Sequence, residues 1–230
     1  GDKAARAQDW DRAIALYRAA IRAADPQKDP DKANEARYQL AICHYQSDNY
    51  YEAAVAAEHI ARHYPKHAKA ALAVEIALAA WSNAYTNYTQ GGVRPDLERL
   101  LALARYVLEA FPKTEQEYAA RMTLGRAAAM EGRFAEAAGA FEGVPPATPR
   151  FIEAQSMAGN ARWRLGQQLR GDGKNAEADA EAKKAQALYE TALKARKDDN
   201  ATPTDVGLLG NVSDLAEILL ATEQVPAALT

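Results

Sequence analysis

The four histidines are the side chains whose type and spacing come nearest to a metal site. His59 and His63 are four positions apart, so on a helix they share one face and could offer two imidazoles to zinc. Ile60 stands where a His-Glu-x-x-His hydrolase has its general base, and neither His44 nor His67 is an assured third ligand. We therefore predict a solvated helix end, with no metal and no cofactor.

Covalent and acid–base catalysis would need motifs that we do not find in this sequence. Cys43, the single cysteine, follows the apolar stripe of its helix, which predicts a small buried side chain. No serine lies in a Gly-x-Ser-x-Gly turn, and the carboxylates are spread at helical intervals. The glycines around Gly91 and Gly171 follow no predicted strand and lack the spacing of a phosphate-binding loop. We predict that the chain is not an enzyme.

Charge and hydropathy argue against two classes of partner. The 230 residues carry a net charge of -3, so no basic excess favours nucleic acid. The longest apolar stretch, 70–81, contains Glu75 and falls well short of the roughly 20 residues that span a bilayer. We predict neither nucleic-acid binding nor membrane insertion. The compartment stays open between the cytoplasm and a bacterial cell envelope.

The elements that would position any site are helices. Apolar residues recur at helical spacing between Gly, Pro, Asn and Asp interruptions, which predicts an all-α chain. Thr114 with Glu117 three positions later predicts a capping box at the start of one helix. The predicted helices span 10–24, 31–46, 50–63, 66–88, 96–111, 115–130, 134–142, 150–169, 175–196 and 205–221.

Small residues recur in pairs that are twelve positions apart. Only Gly or Ala lets two helix backbones cross at the short end of the ~8–10 Å packing range. We therefore predict that Ala41, Ala53, Gly125 and Ala137 are buried where helices cross. The four pairs are Gly1 with Ala13, Ala41 with Ala53, Gly125 with Ala137, and Ala216 with Ala228; Tyr17, Ala57 and Phe141 follow the first three.

These residues resemble the tetratricopeptide repeat (TPR), a pair of antiparallel helices of about 34 residues. The matching residues are Asp9 to Ile14 with Tyr17; Leu40-Ala41 with Asn49-Tyr50, Ala53 and Pro65; and Leu124-Gly125 with Ala128, Gly132 to Phe134, Ala137 and Phe141. The segments that begin at Tyr64 and Phe111 are also similar to bacterial cell-envelope members of the family.

The resemblance implies a right-handed superhelical solenoid of antiparallel helix pairs, with about five to six units in one domain, 1–230. The approximate units are 1–26, 31–65, 66–112, 114–146, 150–197 and 203–230. Gly1 and Ala228 occupy small-residue positions inside incomplete units, from which we predict a fragment of a longer repeat protein.

One stripe on the first helix of the second unit is a candidate binding surface. Glu35, Tyr38, Ile42 and Tyr45 follow one another at helical spacing, and in TPR arrays the corresponding stripe lines a concave groove. The same positions in the fourth unit are Met122, Arg126 and Met130. The alternative is that Tyr38 and Tyr45 only pack against the adjacent helix. Tyr38 and Ile42 replace the Lys and Asn with which some members clamp a carboxylate terminus, so we do not expect chaperone-tail binding.

The resulting prediction is a non-catalytic protein–protein interaction scaffold that presents its groove to a partner peptide or helix. The alternative is a self-assembly or structural module of a larger repeat protein, in which uncapped ends and an alanine-rich face stack copies of the chain. A homo-oligomer therefore stays open.

Overall fold

The computed structural model describes residues 1–24, 28–87, 95–198 and 206–222, and in these ranges the chain forms helices and no strand. The prediction of an all-α chain is confirmed. The helices are α1 (Asp2–Arg6), α2 (Trp10–Ala23), α3 (Pro30–Gln46), α4 (Tyr50–His63), α5 (Ala70–Asn87), α6 (Pro95–Ala110), α7 (Glu115–Met130), α8 (Phe134–Glu142), α9 (Phe151–Gly171), α10 (Asn175–Asp198) and α11 (Val206–Ala221).

The chain divides into two compact units, Gly1–Ala120 and Arg121–Thr230. None of the helices in the described ranges combines the length and the apolarity that a bilayer span requires.

The start of α5 differs from its prediction. The helix begins at Ala70, although the pattern predicted a start at residue 66. The residues before it form tight turns, in which the His67 N–H donates to the Tyr64 carbonyl and the Ala70 N–H donates to the His67 carbonyl, both at 2.9 Å. The Lys69 N–H also donates to the His67 ring at 3.1 Å. These local bonds compete with the first turn of the helix.

One of the two hydrogen bonds of the predicted capping box forms at the start of α7, and the other has a different donor. The Glu117 N–H donates to the Thr114 hydroxyl at 3.3 Å, as a capping box requires. The Glu117 carboxylate accepts from the N–H of Lys113, one residue before the expected donor. Lys113 has a φ of 60°, so the chain turns immediately before the cap.

In the first unit, each helix from α1 to α5 packs against the next one, and α3 also contacts α5. The predicted crossing residues Ala41 and Ala53 are fully buried, as is Ala13. Gly1 lies directly against the ring of Tyr17, where a side chain would overlap the ring. The predicted burial of Ala41 and Ala53 is therefore confirmed in this unit.

The second unit uses the same device. Ala137 is fully buried, and a Cβ built on Gly125 would lie 2.5 Å from Cε1 of Phe141. Gly159 of α9 meets the ring of Tyr189 of α10 in the same way, with a built Cβ 2.9 Å from Cδ2. In the fourth predicted pair, Ala216 is half-buried and Ala228 lies outside the described residues.

The longer helices of the second unit are also joined by polar contacts. Arg162 of α9 pairs with Glu142 at 2.7 Å and with Glu181 of α10 at 3.0 Å. Burial opposes ionisation of Glu181, but hydrogen bonds from Lys184 and Arg162 outweigh it and lower the pKa of this carboxyl. Because one guanidinium bridges two carboxylates, it ties α9 to the elements on both sides of it.

We expect Gly125→Ala to destabilise the protein by about 1 kcal/mol. Overpacking against the buried Phe141 ring costs about 1–3 kcal/mol, which exceeds the gain of up to about 1 kcal/mol in helix propensity. Gly139→Ala is the control, because Gly139 lies in α8 with open space around its Cβ position. This control should stabilise the protein by up to about 1 kcal/mol. Chemical denaturation measures both changes, and equal stabilisation by the two alanines would contradict the crossing.

Candidate partner-binding surface

Helix α3 is buried on one side, and the predicted stripe lies on its other side. Pro30 begins the helix at a position where no intrahelical N–H bond is lost. Leu40, Ala41 and Cys43 are buried, so these apolar residues face the core of the first unit. We call the remaining side of α3, together with Lys69 and the α5 residues that contact it, the α3–α5 face. Its predicted residues are exposed Glu35 and half-buried Tyr38, Ile42 and Tyr45.

Tyr38 is held at the start of α5. The Lys69 ammonium lies 5.2 Å from the centroid of the Tyr38 ring and 3.8 Å from a Glu35 carboxylate oxygen. Burial raises the pKa of the Tyr38 hydroxyl, and the charges of Glu35 and Glu75 add to this effect. The hydroxyl therefore stays protonated and can donate a hydrogen bond to an incoming group.

Tyr45 is held near the other end of the same face. Its hydroxyl accepts a hydrogen bond of 3.0 Å from the side-chain amide of Asn83. Its ring meets the Tyr50 ring edge to face at a centroid distance of 5.5 Å. The Tyr50 hydroxyl in turn donates to Asp48 at 2.6 Å. These contacts fix the ring and leave part of its surface accessible.

The two interpretations of the tyrosines therefore coexist. Tyr38 and Tyr45 each contact a residue at or within α5, as the packing alternative expected. Each also remains half-buried, so a partner could still contact it. The groove itself stays a prediction. Sequence reasoning missed Lys69 and Asn83, although their spacing of fourteen residues would place both on one side of a helix.

The three residues of the fourth predicted unit differ in their accessibility. Met122 is fully buried, so it offers no surface to a partner, and we leave it out of the proposed face. Arg126 is exposed and pairs with Glu153 at 2.5 Å. Met130 is 67% exposed. The structure thus leaves Arg126 and Met130 accessible in the second unit.

The four histidines lie in different surroundings. The rings of His59 and His63 are 4.7 Å apart, and no cluster of three or more His, Cys, Asp or Glu suited to a metal occurs in the described ranges. His67 lies 3.6 Å from Asp31. His44 is buried, and its Nε2 is 3.4 Å from the Arg18 guanidinium.

Cys43 is buried, as the sequence predicted. Burial raises the pKa of its thiol, which disfavours the reactive thiolate.

No family model matches the chain, and no curated protein matches it. Among solved structures, the chain is similar to BtubC (BKLC) from P. vanneervenii, with 14% sequence identity and a TM-score of 0.49. The similarity covers 95% of this chain and 86% of that one. A likeness of this degree carries no argument about fold or function.

We expect His59 to make the protein less stable in acid. Burial lowers the pKa of His59 from 6.5 to about 4, and the nearby charges of Arg37 and His63 add to this effect. Between these two pH values the unfolded chain binds a proton that the folded chain does not, so the free energy of unfolding falls as the pH falls. On passing from pH 7 to about pH 4.5, His59→Gln should lose less stability than the wild type, by on the order of 2 kcal/mol. Urea denaturation at the two pH values measures this difference, and equal losses would contradict it.

Proposed function

We propose that the chain is a non-catalytic interaction scaffold, a TPR-like stack of antiparallel helix pairs that presents the α3–α5 face to a partner. The observation that carries this proposal is the row of accessible side chains along α3, held in place by Lys69 and Asn83. The partner would be an extended segment or a helix of another protein.

Packing between alternate helices supports the stacked arrangement. In the first unit α3 contacts α5 as well as α4, and in the second unit α9 contacts α11 as well as α10. Such contacts between alternate helices are what a stack of helix pairs needs, because each pair buries its apolar side against the next pair. Glycine meets an aromatic ring of the following helix three times, at Tyr17, Phe141 and Tyr189, which supports a repeated design.

The chemistry of the α3–α5 face supports binding to protein. A tyrosine offers a large contact area and a polar tip, and it loses little conformational entropy when a partner binds. Glu35 and Lys69 are close enough to neutralise each other, so the face attracts neither sign of charge strongly. A partner segment with apolar and hydrogen-bonding side chains fits such a surface best.

We expect Tyr38→Ala to weaken binding of the partner protein to the α3–α5 face. The 230-residue chain would be immobilised and exposed to lysate of the native host, and the retained proteins would be quantified by mass spectrometry. A protein that binds the α3–α5 face should be recovered about tenfold less with Tyr38→Ala, because interface tyrosines contribute more than about 1 kcal/mol when they are binding hot spots. Tyr64→Ala is the matched control, since Tyr64 is a half-buried tyrosine that follows α4.

Circular dichroism would establish that both variants keep their helical content. If both variants retain the same proteins in the same amounts as the wild type, the α3–α5 face is not the binding surface.

Self-assembly is a second candidate, which exposed apolar side chains favour. Met130 is 67% exposed and Leu220 is 54% exposed, and removal of such groups from water stabilises a contact between copies. If the chain self-associates through them, Met130→Glu with Leu220→Glu should shift a concentration-dependent dimer to monomer in analytical ultracentrifugation. A wild type that sediments as a monomer at every concentration would contradict this candidate.

A further inference from the structure

A second face of the first unit, formed by α2, α4 and α6, has a different chemistry. Two open cavities of about 320 and 340 Å³ lie along it, and both are lined by Val55 and His59. The two cavities are neighbours that share these two residues, and we call the depression that they make up together the α2–α4–α6 surface. Its lining comes from α2, α4 and α6, with Arg37 and Leu40 of α3 and Trp81 of α5 between them.

This depression concentrates positive charge on an acidic chain. Five arginines and one glutamate line the two cavities, whereas the whole chain carries a net charge of -3. The glutamate, Glu58, is already engaged: it pairs with Arg62 at 2.5 Å and accepts a hydrogen bond of 2.8 Å from the Trp81 indole. The lining therefore has no carboxylate left for the other arginines, which are Arg18, Arg22, Arg37 and Arg99.

Three of these arginines are positioned by neutral groups. Arg37 donates to the side-chain carbonyl oxygen of the buried Asn34 at 2.6 Å. Arg18 lies 3.4 Å from the imidazole of His44, whose pKa is lowered by burial and by Arg18 itself. The Arg99 guanidinium lies 5.3 Å from the centroid of the Trp81 ring. Neutral partners orient these guanidinium groups and leave their charge uncompensated.

The centre of the depression is apolar. Val55 is 57% exposed there, and Ile21 and Leu40 contribute to the wall beside it. His59 adds an imidazole that is uncharged at neutral pH. The surface thus combines an apolar centre with guanidinium groups around it, as protein interfaces with an apolar core and a polar rim do.

We propose that the α2–α4–α6 surface binds an acidic segment of a partner protein, whose carboxylates pair with Arg18, Arg37 and Arg99 while an apolar side chain covers Val55. Guanidinium groups match carboxylates in a bidentate geometry, and the unpaired positive charge of the lining complements an acidic peptide. This surface is distinct from the α3–α5 face, and the inference does not depend on the function proposed for that face.

An acidic protein segment fits better than nucleic acid. Single strands bind through exposed aromatic rings on which bases stack, whereas the ring of Trp81 is only 1% exposed. Duplex binding needs a large excess of basic residues along the backbone, and this chain is acidic overall. The exposed Val55 has no role in contacting phosphate, but it can contact a leucine or a valine of a peptide.

The test uses the full chain and a fluorescein-labelled synthetic peptide in which pairs of glutamates alternate with leucines. Fluorescence anisotropy should detect binding to the wild type, and added salt should weaken it. Arg18→Glu with Arg99→Glu should weaken binding by about tenfold or more, since attraction becomes repulsion at two positions. Arg12→Glu with Arg105→Glu is the matched control, because it changes the net charge by the same amount and on the same two helices. Both positions are exposed and lie outside the depression. This control should change affinity by less than about twofold.

Four outcomes would overturn the inference. They are the absence of binding to the wild type, equal weakening by the two arginine pairs, equal binding of a peptide with glutamine in place of glutamate, and tighter binding of duplex DNA than of the acidic peptide. Arg18→Gln with Arg99→Gln guards against misfolding, since it removes the positive charges without adding carboxylates, and circular dichroism checks its fold. Tyr38→Ala should leave peptide affinity unchanged, which separates this surface from the α3–α5 face.

Discussion

Helix packing in both units depends on small residues that let neighbouring helices come close: Ala41 and Ala53 are fully buried, and at three places a glycine lies against an aromatic ring of the following helix. Gly1 lies against the ring of Tyr17, Gly125 against that of Phe141, and Gly159 against that of Tyr189. The ring fills the space that a Cβ would occupy, so the two backbones come closer than larger residues would allow. Once this crossing is set, the rotation of each helix about its axis is set as well, and with it the side chains that remain outside.

The two faces of the first unit follow from this constraint. When Leu40 and Cys43 turn inward, the opposite side of α3 leaves Tyr38 and Tyr45 partly accessible. When Ala53, Ala57 and Ile60 of α4 turn inward, Val55 remains outside between the arginines of α2 and α6. One face is nearly neutral and carries tyrosines, and the other is basic with an apolar centre. A single packing rule therefore produces two surfaces of different chemistry.

Local signals predicted the helices well and the side-chain environments less well. The bounds of α4 and α8 agree with the sequence pattern, because caps and turn residues act within a few positions. Met122 occupies the same repeat position as Tyr38, yet it is fully buried while Tyr38 is half-buried. Gly159 lies thirty residues before Tyr189, outside the shorter spacing of the other pairs, because α9 and α10 are long. Burial depends on neighbouring helices, which a repeat position alone does not specify.

The sequence by itself determined that the chain is helical and that Ala41, Ala53, Gly125 and Ala137 are buried, since periodicity and residue size act through local geometry. Only the tertiary structure decided which charges lie together. Arg18, Arg37 and Arg99 are up to 81 residues apart and belong to three helices, and their grouping around Val55 depends on how those helices pack. The electrostatic character of a surface depends on distances between side chains in space, and these distances cannot be read from the spacing of residues along the chain.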